Sequence, residues 1–238
     1  MRRQVFTLAE LLLTILIIAV LLALLLPLLA RARENAVAAR CAGQTAELLK
    51  GMLTYTDDHY GVFPRLVAAR PYSDYITGSI AGMSHGYVPR NILVCPGNPR
   101  LNGETGYNRF YVYGLFTRDY RTYRSVAEAA GDFYRVDPVV MTCNESYRFG
   151  RMRDPAGLML VADCEISESG GENSGKPYFS FEVGKSAFNS AVSLVHLDRA
   201  VGGFGDGHVA RRGTGDLRGG TPAITAVLRK GRIVTLDQ

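Results

Sequence analysis

His196, Asp198, Asp206 and His208 fall in one short stretch of this 238-residue chain and are the first candidates for chemistry. The plainest reading is a β-hairpin whose tight turn is Asp206-Gly207, because glycine accepts the positive φ such a turn needs. A second reading is a metal site built on His196, Asp206 and His208, with Asp163 as a further oxygen donor; the mixture would suit zinc or calcium poorly. A third is hydrolytic acid–base work, which lacks a nucleophile at a recognisable elbow. Gly202, Gly203 and Gly205 lie in the same stretch, but no Lys-Ser/Thr follows them, so they do not form a phosphate loop.

The thiols are Cys41, Cys95, Cys143 and Cys164. No two have the C-x-x-C spacing of zinc ribbons or thioredoxin-like sites. An even count behind an export signal suggests disulfides, with three possible connectivities. Sequence proximity and strand adjacency favour Cys41–Cys95 and Cys143–Cys164; the alternative is buried free thiols. A third cluster, Arg118, Tyr120, Arg121, Tyr123 and Arg124, interleaves bases with aromatics, as surfaces for single-stranded nucleic acid or anionic glycans do. The same pattern also describes a solvated loop with tyrosines packed inward. A net charge of +5 is too mild to demand a nucleic-acid partner.

The elements that must position these groups begin with one apolar run. Leu11 to Ala30 contains a single hydroxyl, Thr14, and no charge. As a helix it would be about 30 Å long, the thickness of a bilayer's hydrocarbon core. Glu10 stands at its start, where an acid needs a partner or a purpose. Ala30-Arg31-Ala32 is a passable signal-peptidase site, although the run is longer than an ordinary signal's apolar region. Helix-forming residues continue to about His59, with Leu48, Leu49, Met52, Leu53 and Thr56 forming an apolar stripe and Ala38, Ala42, Thr45 and Ala46 a narrower seam. Gly61 and Pro64 end it.

Residues 65–106 read as loop, rich in proline and glycine. Strands are expected at Phe110–Phe116, Val139–Cys143, Leu158–Asp163, Tyr178–Val183, Ala191–His196 and Val201–Gly205 with His208–Arg211. Ile224–Leu228 and Arg232–Leu236 should form a hairpin. Ser125–Asp132 reads as a short helix and Ser167–Lys176 as a surface loop.

Phe6-Thr7-Leu8-x-Glu10-Leu11 ahead of a long apolar helix resembles the N-terminal signal of type IV pilins and type II secretion pseudopilins. Further motifs resemble the planctomycete-type branch of large pilin-like proteins. They are Cys41 with Gln44, Tyr55-x-Asp57-Asp58 before Gly61-x-Phe63-Pro64, Cys95-Pro96, Asp154-Pro155 before Leu160-x-Ala162-Asp163, and His196 followed after nine residues by Asp206-Gly207.

The resemblance implies an α+β, pilin-like fold: a leader at 1–5, a long helix at 6–60 with about 8–30 transmembrane, and an antiparallel β-sheet head at 61–238. A membrane prepilin peptidase would cut between Val5 and Phe6 and methylate Phe6; Val5 stands where the family usually has glycine. Glu10 would neutralise a neighbouring subunit's amine during assembly, and Pro27 would let the helix bend. Function would be assembly with itself and other pilin-like subunits into a pilus or secretion-type filament, without enzymatic activity or a cofactor; a structural metal ion is only the alternative offered by His196, Asp206 and His208. The chain would cross the inner membrane once, N-terminus in the cytoplasm, head in the periplasm or on the cell surface. The competing readings are a surface module binding DNA or anionic glycans, and an anchored exported protein or hydrolase that never polymerises.

Overall fold

A helix of 51 residues, α1 (Leu8–Asp58), dominates the computed structural model. The structure describes residues 7–80, 86–98, 108–117, 123–139, 142–184 and 190–236. Val5 and Phe6 lie outside them, as do Arg118, Tyr120 and Arg121; the side chains of Tyr123, Arg124 and Cys143 are likewise outside the description.

α1 starts with a reciprocal cap. The Thr7 hydroxyl accepts from the Glu10 backbone N–H at 3.3 Å, and the Glu10 carboxylate accepts from the Thr7 N–H at 2.9 Å. This Thr-x-x-Glu box satisfies backbone donors that a helix start otherwise leaves bare. The helix runs without interruption through Pro27, which only withholds the donor that would meet Ala23. It stops where Tyr60 (φ 54°) and Gly61 (φ 75°) turn left-handed and the Gly61 N–H reaches back to the Thr56 carbonyl at 2.7 Å. That is the long-range bond of a Schellman stop, with tyrosine in the position glycine usually holds.

The two halves of α1 face different surroundings. From Leu8 to Leu29 every residue is exposed, most of them leucine, isoleucine or valine. Burial begins at Ala38 and continues through Cys41, Thr45, Leu48, Leu49, Met52, Tyr55 and Thr56. These lie three or four apart, one face of a helix. The first half is long and apolar enough to cross a membrane.

Among the described residues, the second half seats on a head with three small sheets. The first has the order β2-β1-β5-β4, from β1 (Val62–Val67), β2 (Arg70–Pro71), β4 (Tyr134–Val139) and β5 (Thr142–Arg148). The second, β11-β10-β6-β3-β8, takes β3 (Gly114–Phe116), β6 (Met159–Ala162), β8 (Ser180–Phe181), β10 (Ala200–Phe204) and β11 (Val209–Arg212). The third, β13-β12-β9-β7, takes β7 (Cys164–Ile166), β9 (Ser190–Ser193), β12 (Ala226–Arg229) and β13 (Arg232–Thr235). Short helices α2 (Tyr72–Ile76), α3 (Tyr123–Ala130) and α4 (Thr214–Arg218) connect them.

The head is therefore α+β, as expected, but not wholly antiparallel: β3 pairs with β8, and β9 with β12, in parallel. Long excursions separate both pairs, so no hairpin signal links them. Expected strand 139–143 is instead divided, with Val139 ending β4 and Thr142 beginning β5, paired to each other. β1 falls in a stretch read as the start of a loop; its Pro64 lies beside a register shift, where a missing N–H is tolerated. Ser167–Lys176 is a surface stretch with short 3₁₀ turns on either side of Gly171, which is left-handed at φ 65°.

α1 lies mainly across β10. A Cβ on Gly203 would come within 2.7 Å of Leu49 Cδ1 and 2.8 Å of Thr45 Cγ2. Gly203 thus permits the close approach of strand to helix. The five-stranded sheet, α1 and the aromatic side chains Phe63, Tyr72, Phe116, Phe133 and Tyr147 share one continuous core.

Candidate functional site

Four donor side chains from four distant segments meet where α1 enters the head. Cys41 is in the first buried turns of α1. Cys95 follows the 3₁₀ turn Arg90–Ile92, which Gln44 steadies by donating to the Asn91 carbonyl at 3.4 Å. Asp163 is the hinge between β6 and β7, the residue at which one extended stretch leaves the second sheet and joins the third. Its backbone carbonyl accepts from Ser193 N–H at 2.8 Å.

His196 opens a two-residue turn. Its N–H and carbonyl exchange bonds of 3.1 and 3.2 Å with Arg199, and Leu197 (φ 54°) and Asp198 (φ 61°) are both left-handed. Two positive φ values make this a type I′ hairpin turn, here without the usual asparagine or glycine. Arg211 braces it, donating one nitrogen to the His196 carbonyl at 3.0 Å and another to Asn35 Oδ1 of α1 at 3.1 Å.

The ligating atoms of Cys41, Cys95, Asp163 and His196 all lie within 4.8 Å of one another. His196 Nε2 is 3.2 Å from Cys95 Sγ and 3.3 Å from Asp163 Oδ2. Cys41 Sγ is 3.5 and 3.6 Å from the two Asp163 oxygens and 3.1 Å from Tyr113 Oη. The Gly97 N–H points at Cys95 Sγ at 3.3 Å, and the Val201 N–H at Asp163 Oδ2 at 3.4 Å. Two thiols, an imidazole and a carboxylate could together hold a metal ion.

Burial sets the electrostatics. Cys41 is 0% exposed, His196 2%, Asp163 3% and Cys95 8%, so the group is buried and out of reach of any large substrate. Burial alone would lower the His196 pKa, but its bonds to Asp163 and Cys95 outweigh that and push it up to about 10. The Cys95 thiol is pushed up by its bond to Cys41 and by burial. Cys41 is drawn down by its bond with Cys95, yet burial and the Asp163 charge carry it upward overall. Asp163 Oδ2 and His196 Nε2 are thus in direct polar contact inside the buried group.

The alternative metal set of His196, Asp206 and His208 is not brought together, since His196 joins Cys41, Cys95 and Asp163 instead. Asp206 and His208 sit at the far end of β10, in the exposed turn to β11, where Gly207 has φ 91°. His208 Nδ1 meets Asp206 Oδ1 at 2.6 Å and its ring stacks on Phe204 at 4.2 Å. The turn reading of Asp206-Gly207 therefore describes that end, and the His196–Asp206 pair that hydrolysis would need does not meet. Asp198 is bound to Arg229 at the surface.

The disulfide expectation also changes. Cys41, Cys95 and Cys164 are free and buried. Cys164 donates to the Ser180 carbonyl at 3.2 Å, inside the core and apart from the donor group. Cys41 and Cys95 do meet, but as two members of four.

Each member of the group stands in a motif noted in the sequence, yet positions 41, 95, 163 and 196 have no local spacing to announce a shared site. Compared with known protein families, curated proteins and solved structures, the chain matches none.

Proposed function

We propose that this chain is a pilin-like subunit, held in the inner membrane by the first half of α1 and assembled through that half into a filament. One observation carries the reading. A single unbroken helix is exposed and apolar from Leu8 to Leu29, and then, without a joint, becomes the core helix of a folded head. A cleavable signal has no need of helical continuity with the domain it exports. An assembly device does, because the head must move rigidly with the segment that packs against neighbours. Identical helices contacting head-to-tail generate an open fibre. Glu10 would meet the amine of an adjacent subunit, and Val5–Phe6 would be the bond a prepilin peptidase cuts.

The test is mass spectrometry of the mature N-terminus, from cells making the full chain. A chain beginning at methylated Phe6 supports the proposal. One beginning at Arg33 would sink it in favour of an ordinary secretory signal. Filament formation, read by sedimentation of sheared surface material, should fail in a Glu10→Ala chain that still reaches the membrane.

A further inference from the structure

We propose that Cys41, Cys95, Asp163 and His196 are the ligands of one tightly bound zinc-class metal ion that fastens α1 to the head. The inference rests on the head's own geometry and stands whether or not the chain polymerises.

The first argument is shape. Bonds of about 2.0–2.3 Å to sulfur, nitrogen and oxygen, arranged tetrahedrally, separate the ligand atoms from each other by about 3.4–3.8 Å. With Asp163 Oδ2 as the carboxylate ligand, three of the six edges are 3.2 Å between Cys95 Sγ and His196 Nε2, 3.3 Å between His196 Nε2 and Asp163 Oδ2, and 3.6 Å between Cys41 Sγ and Asp163 Oδ2. These three lie within a few tenths of an ångström of such a tetrahedron, and all the ligand atoms lie within 4.8 Å of one another.

The second argument is chemistry. Two sulfurs and an imidazole select a borderline-soft ion such as Zn²⁺ over calcium or magnesium, which take oxygen. Binding expels one proton from each thiol and one from the His196 imidazolium, leaving two thiolates and a neutral imidazole. The ligands then carry three negative charges against the metal's two. The remaining charge falls on atoms that already face donors: Gly97 N–H at Cys95 Sγ, Tyr113 Oη beside Cys41 Sγ, and Val201 N–H at Asp163 Oδ2. Such outer partners fix ligand orientation.

A Cys41–Cys95 disulfide, the rival arrangement, would use two of the four groups. It would give the carboxylate and imidazole no reason to converge on the same sulfurs. The site is closed, which suits a structural ion rather than a catalytic one. Its place gives it a task. Cys41 is one helical turn beyond Ala38, the first fully buried residue of α1, and the other three ligands come from the head. The ion would lock the helix at the point where it leaves the head.

The experiment uses the full chain, purified in detergent without chelators. Metal content by plasma mass spectrometry should be about one zinc per chain. Replacement by Co²⁺ should give the intense visible bands of a tetrahedral site and a sulfur-to-cobalt charge-transfer band. Both should disappear in Cys41→Ser/Cys95→Ser and persist in Cys164→Ser, which alters a buried thiol outside the group. Should the double variant fail to fold, alkylation of the wild-type chain decides. Cys41 and Cys95 should react with iodoacetamide only after a chelator is added. Labelling that ignores the chelator overturns the proposal, as does a metal-free chain lighter by two hydrogens with Cys41 joined to Cys95. Cobalt bands that survive the double variant overturn it too.

Discussion

Glu10 shows how one residue can carry two explanations that a substitution separates. Its carboxylate completes the cap with Thr7, which a neutral amide at the same position can also do. Salt formation with a neighbouring chain's amine needs the negative charge. Glu10→Gln should therefore keep the helix start, seen as unchanged far-ultraviolet dichroism, yet abolish filament assembly. Assembly at wild-type levels in Glu10→Gln would reduce the glutamate to a cap. Arg65 is the other residue whose environment decides its effect. It is 3% exposed and paired with Glu145, which also takes the Tyr134 hydroxyl, and its guanidinium lies 5.5 Å from the Phe179 ring. Removing one partner of a buried pair leaves a bare charge, so Arg65→Met should destabilise the head by about 3–5 kcal/mol. Arg65→Met with Glu145→Leu should recover most of that loss. Urea unfolding of the two variants measures the difference. Neither the Arg65–Glu145 pair nor the Cys41–His196 group could be read from the chain alone, because their members are 80 and 155 positions apart and nothing local binds them.

At the scale of elements, legibility followed the range of the forces. The bounds of α1 were readable to within two residues of Phe6 and one of His59, since capping residues and a 3.6-residue stripe are local signals. The hairpins β10–β11 and β12–β13 were readable for the same reason. β1 was obscured by Pro64, which reads as a breaker until the neighbouring register shift is known. The parallel pairs were beyond reach because their partners are far apart in the chain. In the sequence, the glycines of β10 show only that they lack a phosphate loop's Lys-Ser/Thr. Gly203 shows what they do, and it yields a prediction. Gly203→Val puts branched carbons where Leu49 and Thr45 already sit, and should cost about 1–3 kcal/mol by pushing α1 off the sheet. Gly150→Ala, whose added carbon meets nothing within 4 Å, should change stability by less than about 0.5 kcal/mol. Thermal unfolding of both chains in detergent tests the contrast, and equal melting would mean that β10 and α1 are not in close contact.

The whole molecule combines a head with its own continuous core and a helix half that contributes nothing to that core. No residue from Leu8 to Leu29 is buried, while the buried face of α1 starts at Ala38. The two halves should therefore respond independently to substitution. A lysine near the middle of a spanning helix costs about 2.5–3.5 kcal/mol in insertion, and two should be enough to oppose it. Ile18→Lys with Leu22→Lys, on one face of the exposed half, should shift the chain from the membrane to the soluble fraction on centrifugation. The head should remain unchanged, because neither side chain touches it. Near-ultraviolet dichroism from its buried tyrosines should overlay that of the wild-type chain, and zinc content per chain should be the same. Loss of the tyrosine signal together with membrane binding would show that the head depends on the inserted half. Retention in the membrane despite both lysines would show that something other than this helix anchors the chain. Release with an intact head is the outcome that the proposed anchoring and the division of α1 together call for: an exposed apolar half ending before residue 38, and from Ala38 a helix belonging to the head.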